Sequence, residues 1–316
     1  MATGDNVRPR VTLLAGGVGA ARFLRGLAEV VDPERLTVVV NTGDDDTFYG
    51  LHVSPDIDTI VYTLAGLAPR GRGWGIRGDR HQVERALALY YGEPWFHLGD
   101  RDLATHIYRT DLLRRGLSLS ECTRRIARSL GIRQTVLPAS DEPVRTFIFT
   151  RSGRIPFQQY LVKYASRPAV QRISYAGARK AEPAPGVIEA IEEADAILIA
   201  PSNPLVSIAP ILSVPAIGRA VRRARGRCVA ISPLIRGRAV KGPLDRMLRQ
   251  LGERAGTAAI ARRYRGFARA LVVEPGDVPA RRPIGIEIHE HPTLLARPAA
   301  ARRVARFAVE LATAER

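Results

Sequence analysis

Two rhythms of apolar and polar positions run along this chain. Short continuous apolar runs, VTLLA (11–15), LTVVV (36–40), AILIA (196–200), CVAIS (228–232) and ALVVE (270–274), end in glycine, asparagine, serine or acidic turns. Runs of this length without polar interruption predict strands covered on both faces. Between the first two, GAARFLRGLAEVV (19–31) places Phe23, Leu24, Leu27 and Val31 at helical spacing, so a helix with one buried stripe is expected. The same spacing predicts helices over 56–67, 79–91, 102–115, 119–130, 186–195, near 207–224, over GPLDRMLRQLG, and over 297–314. Ser118 followed by Glu121 reads as the capping box of the helix at 119. IGIEIHE (284–290) reads as the last strand, and SNPLVS and PLIRGRAVKGP as loops.

Strand–helix–strand alternation predicts an α/β fold: a doubly wound, mostly parallel sheet between two layers of helices. The rhythm changes in the middle. VRTFIFTRSGRIPFQQYLVKY (144–164) alternates around a Ser-Gly turn, like a hairpin, and a Pro-rich EPAPG follows. A smaller mixed α+β subdomain is therefore expected at 135–185, set between core halves at 1–134 and 186–316.

Composition narrows the partners. The chain has 316 residues, 46% of them hydrophobic, enough for one large α/β unit with an insert. No run approaches ~18 apolar residues, so no membrane span is expected. MATGDNVRPR is too short and polar for a signal peptide, and a cytoplasmic location is expected. Cys122 and Cys228 have no metal-site spacing and read as reduced thiols. The formal charge is +17, and only Lys163, Lys180 and Lys241 among 48 basic residues are lysine. The arginines are scattered rather than gathered in a stripe, and aromatics are 6% of the chain. That pattern argues against nucleic acid and for small, highly phosphorylated anions.

Five stretches can carry chemistry. In AGGVGAARF (15–23), Gly16, Gly17 and Gly19 can turn the backbone so that the next helix's N–H groups face a phosphate, although a bare strand-to-helix turn looks the same. Arg22 stands where a dinucleotide pattern has its third glycine, and no G-K-[ST] follows. In NTGDDDTFYGLHVSPDID (41–58), five carboxylates gather with no Lys or Arg among them. Asp44, Asp45 and Asp46 are consecutive and cannot all point one way. Asp56 and Asp58 open a helix, where they can cap it or join a Mg²⁺ site. In LGDRDLATH (98–106), Asp100 or Asp102 can cap a helix, while Arg101 and His106 can reach a ligand. In APSNPLVSI (200–208), Ser202 and Asn203 can bind a nucleotide or make a turn before Pro204. Arg236, Arg238 and Lys241 can form an anion clamp or a solvated loop. His289 and His291 share a strand face, but no further metal ligand is identifiable.

AGGVGAARFLRGL, VNTGDDDTFYGLHVSPDIDTIVYTLAG, RGWGIRGD, LGDRDLATHI and APSNPLVSI occur in that order. Over roughly 11–290 the chain resembles the 2-phospho-L-lactate transferases of deazaflavin coenzyme F-420 biosynthesis. The resemblance implies a Rossmann-like core, Mg²⁺ as cofactor and a phosphotransfer reaction. A phospholactyl or phosphoenolpyruvyl group would pass from a guanosine-diphosphate-linked donor to the terminal ribityl hydroxyl of the deazaflavin Fo, releasing GMP. On that reading Asp45 and Asp56 hold the metal with Asp44 as a third ligand, and Asp46 and Asp58 are structural. Gly16, Gly17 and Gly19 cradle phosphate, and Ser202 and Asn203 sit near the nucleotide. Asp100 also belongs to the binding set, and Arg22, Arg101 and the 236–241 loop neutralise anions. Trp74, with Phe48 and Tyr49, offers a slot for the flat ring. A homodimer is expected. Two alternatives share the architecture: a nucleotide- or nucleotide-sugar-binding regulatory protein of the gluconeogenesis-factor type, and an NAD(P)-dependent oxidoreductase. The acidic loop and Arg22 weigh against the second.

Overall fold

The computed structural model describes residues 9–69, 71 and 73–314. The remaining residues, which include most of the polar N-terminus and Arg72 of RGWGIRGD, lie outside the described residues.

Seven strands form the central sheet: β1 (Val11–Ala15), β2 (Leu36–Val40), β3 (Thr135–Pro138), β4 (Ala196–Ile199), β5 (Cys228–Ile231), β6 (Ala270–Val273) and β7 (Glu287–Glu290). Their order is β3-β2-β1-β4-β5-β6-β7, and every neighbouring pair is parallel. The direction of winding reverses between β1 and β4, and open α/β sheets bind ligands at such a switch point. Alternate residues of each strand feed two cores. Leu14, Val39 and Ile197 enter one, with the helical residues Ile217, Met247 and Ile260. Leu13, Val38 and Leu198 enter the other, with Phe23, Ile60 and Val304. Both faces are thus covered, which is why the inner strands read as unbroken apolar runs.

Five helices matter for the site: α1 (Gly17–Leu27), α2 (Pro55–Leu64), α3 (Gln82–Tyr91), α4 (Asp100–Arg114) and α5 (Leu119–Ser129). Ser118 caps α5 as expected, its Oγ accepting from the Glu121 N–H at 3.3 Å. No single helix among the described residues is long and apolar enough to cross a membrane.

Four local expectations are corrected. The insert was expected to begin at 135, but Thr135–Pro138 pairs parallel with Leu36–Val40 as the edge of the main sheet. The small antiparallel sheet instead comprises Gly153–Pro156, Arg145–Thr150 and Arg172–Ala176, in that spatial order. The expected hairpin ends at Pro156, and Gln159–Lys163 coils into a wide helical turn. Its buried anchors Phe157 and Tyr160 lie three apart, a helical rather than a strand spacing. Pro204–Ile208, expected as loop, is also helical, because the Asn203 side chain accepts from the Leu205 N–H at 2.9 Å. The acidic loop contains a hairpin, Asp46–Phe48 with Leu51–Val53, turned by Tyr49 and Gly50 at φ of 54° and 75°. Thr257–Tyr264 is a further helix that the spacing analysis did not single out.

The helix Pro298–Thr313 packs along α1, and Gly26 lets their backbones meet. A Cβ at Gly26 would lie 2.2 Å from the Ala301 carbonyl carbon, whereas at Gly226 it would meet nothing within 4 Å. Gly26→Ala is expected to lower the thermal midpoint by roughly 3–10 °C through overpacking. Gly226→Ala should leave it within about 2 °C. Equal midpoints in a thermal melt would contradict this packing.

Candidate active site

The site begins where β1 enters α1. Gly16 is extended, and Gly17 takes φ +67° and opens the helix. A Cβ on Gly16 would stand 2.7 Å from Ser207 Cβ and 2.9 Å from an Asp56 oxygen. A Cβ on Gly19 would stand 2.2 Å from the Pro201 carbonyl oxygen. These glycines therefore let α1 press against both Asp56 and the 201–207 segment. Ser202 Oγ donates to the Gly16 carbonyl at 2.6 Å. Ser202 and Asn203 both line the cavity, while Asn203 also serves as the turn-forming residue before Pro204.

Acids converge beyond β2. Asn41, fully buried, donates from Nδ2 to Asp56 Oδ2 at 2.8 Å and accepts from the Gly43 N–H at 2.8 Å. Asp44 and Asp56 are buried and line the cavity. Burial, then the charge of Asp56, pushes Asp44 well above the usual carboxylate range. Burial raises Asp56 to about 7, with the Asn41 and Gly17 hydrogen bonds opposing and the charge of Asp45 reinforcing. Asp45 is buried but is not among the described residues that line the cavity. Its Oδ2 accepts from Ser54 Oγ at 2.9 Å and lies 3.2 Å from His52 Nε2. Ser54 sits at the start of α2, yet its hydroxyl serves Asp45 rather than the helix. Oδ1 of Asp44 and Oδ1 of Asp45 are both buried without a hydrogen-bond partner.

A second polar network lies one turn along α2. Arg109, fully buried on α4, forms a bidentate pair with Asp58. It also donates to His106 Nδ1 at 3.3 Å. An arginine N–H can only donate, so His106 Nδ1 accepts and Nε2 carries the proton. That nitrogen lies 3.2 Å from Asp102 Oδ1 without forming a hydrogen bond, and Asp102 Oδ1 accepts from Tyr62 Oη at 2.7 Å. Burial pushes Asp102 up, but the adjacent His106, the Tyr62 hydrogen bond and the Arg109 charge outweigh it and hold its pKa low. Asp58, Tyr62, Asp102 and His106 line the cavity, so the network forms its floor.

The cavity measures about 480 Å³. It unites Gly16, Gly17, Gly19, Arg22, Trp74, Ser202 and Asn203 with Asp44 and Asp56, much of the expected set. Arg22 also donates to the Gly71 carbonyl at 3.1 Å. Lys241 lines the cavity, whereas Arg236 and Arg238 are not among its lining residues. Asp100 and Arg101 stand apart from it as well. The Asp100 carboxylate caps α3, accepting from Gln82 and Val83 N–H at 3.2 and 3.0 Å. Asp79 caps α4 in turn, accepting from Arg101 and Asp102 N–H at 3.0 and 3.1 Å. Of the three expected aromatics only Trp74 lines the cavity. Phe48 stacks on Phe96 at 4.2 Å in a small core of its own, and Phe96 is the ring that reaches the cavity. Tyr49 packs on Tyr91. His289 pairs with Glu287, and His291 stacks on Phe307. Asn41, Arg109, Tyr62 and Phe96 were not picked out from the sequence. Only Arg109 left a trace there: Asp102, His106 and Arg109 repeat at the spacing of one helix face.

A glycine turn, buried acids and a cavity at the switch point of a parallel sheet define an α/β protein with a crevice where such sheets bind small molecules. The chain belongs to the family described as 2-phospho-L-lactate transferase CofD, whose model matches residues 11–283, and it is a transferase of that family. It is 41% identical over 312 residues to a phosphoenolpyruvate transferase of Streptomyces griseus, covering 96% of this chain and 98% of that protein. It is 37% identical over 317 residues to one of Nocardia farcinica, covering 96% and 95%. Among solved structures, a UPF0052-family protein of Bacillus halodurans shares the fold, with a TM-score of 0.60 and 17% identity over 96% of this chain and 99% of that one. The family favours neither the regulatory-protein nor the oxidoreductase alternative.

Two outcomes test this electrostatic picture. Arg109→Met would leave Asp58 buried without its cation and should cost roughly 3–5 kcal/mol in urea unfolding. Adding Asp58→Asn should restore part of that, and a loss confined to the double variant would contradict the pairing. Asp56 in the folded protein sits at about 7 against an ordinary 3.8. The folded state therefore holds the extra proton, which favours folding fully below 3.8 and is lost as pH rises through about 7. In metal-free protein, the stability of wild type relative to Asp56→Asn should fall between about pH 5 and pH 8. A flat difference would show that Asp56 is not desolvated.

Proposed function

We propose that this chain transfers a phosphoenolpyruvyl group from a guanosine-diphosphate-linked donor to the terminal ribityl hydroxyl of Fo in coenzyme F-420 biosynthesis. The hydroxyl oxygen bonds to the distal phosphorus, the bond to GMP breaks, and the hydroxyl proton passes to solvent or a neighbouring carboxylate. What carries this reading is the meeting of Asp44, Asp56 and the glycine turn in one cavity, in a chain whose relatives are named phosphoenolpyruvate transferases. A phospholactyl donor differs by one double bond, and the names of the relatives favour the enolpyruvyl form.

Mg²⁺ is the cofactor proposed. The donor set suits it: Asp44 and Asp45 each keep a buried, unpartnered oxygen, and Asp44 and Asp56 are both raised by burial and by a neighbouring carboxylate. No group of three or more His, Cys, Asp or Glu is arranged to hold a metal among the described residues. Asp44 and Asp56 would hold the ion, with Asp45 behind them and substrate oxygens completing its shell. Bound there, it would offset charge on the diphosphate. The start of α1, Arg22 and Lys241 attract the anionic donor, and Trp74 and Phe96 flank a flat ring. These residues position the reactants and balance charge, which is most of what phosphoryl transfer asks of a protein. A cytoplasmic homodimer acting on small molecules, without nucleic acid or membrane, completes the reading. Light scattering tests the dimer.

Purified protein with Fo, Mg²⁺ and each guanylylated donor should release GMP and form the phosphodiester, detected by mass spectrometry. No GMP with any donor would reject the reaction. Asp44→Asn and Asp56→Asn should each lower kcat/KM by about 100-fold or more while the protein stays folded. Wild-type turnover in both would reject them as the Mg²⁺ ligands.

A further inference from the structure

Gln158 lies where the small antiparallel sheet hands the chain to the helical turn Gln159–Lys163. It lines the cavity beside Phe157, Leu161 and Val162. The residue is only 7% exposed, and its Oε1 is shielded from solvent without a hydrogen-bond partner. A buried amide oxygen left in this state costs about 1–3 kcal/mol. An apolar side chain of similar shape would remove that cost without disturbing the wall. A carboxamide at this place is therefore intelligible if a ligand completes it.

The chemistry of the side chain says what kind of ligand group fits. A carboxamide presents an acceptor and donors in one plane. Its terminal torsion is broad and soft, so a small rotation turns the amide toward a bound molecule. Its match is a flat ring edge carrying an N–H beside a C=O: the amide oxygen accepts the N–H while the amide nitrogen donates to the carbonyl. The apolar neighbours suit the faces of such a ring and offer its polar edge no competing partner. We propose that Gln158 is a specificity residue that reads the N–H/C=O edge of a substrate ring. The inference rests on the transferase reading, under which two rings carry that edge: the guanine of the donor and the pyrimidinedione of the deazaflavin.

Calorimetric titration of the full-length protein with GDP and, separately, with Fo tests the proposal and tells the two rings apart. Gln158→Met should raise the Kd of one ligand by about tenfold or more and leave the other within about twofold. Its thermal midpoint should stay level or rise, because an unpaired buried oxygen has been removed, and Gln158→Leu should behave alike. A merely structural Gln158 would show the reverse: a lowered midpoint with unchanged affinities. Unchanged affinity for both ligands, or an equal loss for both, would overturn the assignment alone. Failure of the wild type to bind either ligand would overturn the transferase reading and this proposal with it.

Discussion

The site depends on one close approach. Where Gly16 and Gly19 face their neighbours there is no room for a Cβ, so α1 starts in contact with both the 201–207 segment and Asp56. A carboxylate at a helix N-terminus meets the positive end of the helix dipole and unpaired N–H groups. Here the Gly17 N–H already serves Asp56. The expected phosphate cradle is therefore partly occupied by a protein acid, and a phosphate brought to it meets Asp56 as well. Two anions facing each other across a helix start repel, a cost that has to be offset for any phosphate held there. That requirement links the glycine turn to the acidic loop more firmly than their separate motifs do.

The buried acids divide by whether the protein neutralises them. Asp58 has Arg109, and Asp102 has Tyr62 and His106. Both are internally balanced and form a rigid floor. Asp44 and Asp56 share the amide of Asn41, Asp56 also has the Gly17 N–H, and both are raised by burial and by a neighbouring carboxylate. Five carboxylates in a chain of net charge +17 thus fall into different roles. The charge of Arg145 draws Asp44 down, but burial and the neighbouring acids outweigh it. What remains is a pair of buried carboxyl groups held toward their protonated forms inside a positive protein.

Much of this was legible in the chain, for reasons that also explain the gaps. The inner strands are covered on both faces, so β1, β2, β4, β5 and β6 appear as unbroken apolar runs. β3 is an edge strand of four residues ending in Pro138, and its sequence TVLP carries no such run. The turn at Pro204–Ile208 was hidden because Pro204 reads as a breaker, although proline is at home in a first helical turn. Gly16, Gly17, Gly19, Asp44 and Asp56, singled out in the sequence, do meet at one cavity, because the glycine turn and the acidic loop follow the paired strands β1 and β2 at the same end of the sheet. Asp100 was misplaced in role because the residue capping α4 is Asp79, 21 positions before that helix begins, and no local rule reaches so far. Arg109 was missed because its partner lies 51 positions away on another helix.

The topology is that of dinucleotide-binding proteins, yet the detail at the end of β2 separates this chain from them. An oxidoreductase of that kind needs a carboxylate there to grip a ribose. The residue directly after Val40 is Asn41, and its amide is committed to Asp56 and Gly43. Asp44, three positions on, sits under the charge of Asp56 and is held toward its protonated form, a poor partner for ribose hydroxyls. The β2 side of the crevice thus lacks the free carboxylate that grips a ribose in those enzymes. On the β4 side, Ser202 and Asn203 and the apolar segment from Phe157 to Val162 border the same cavity.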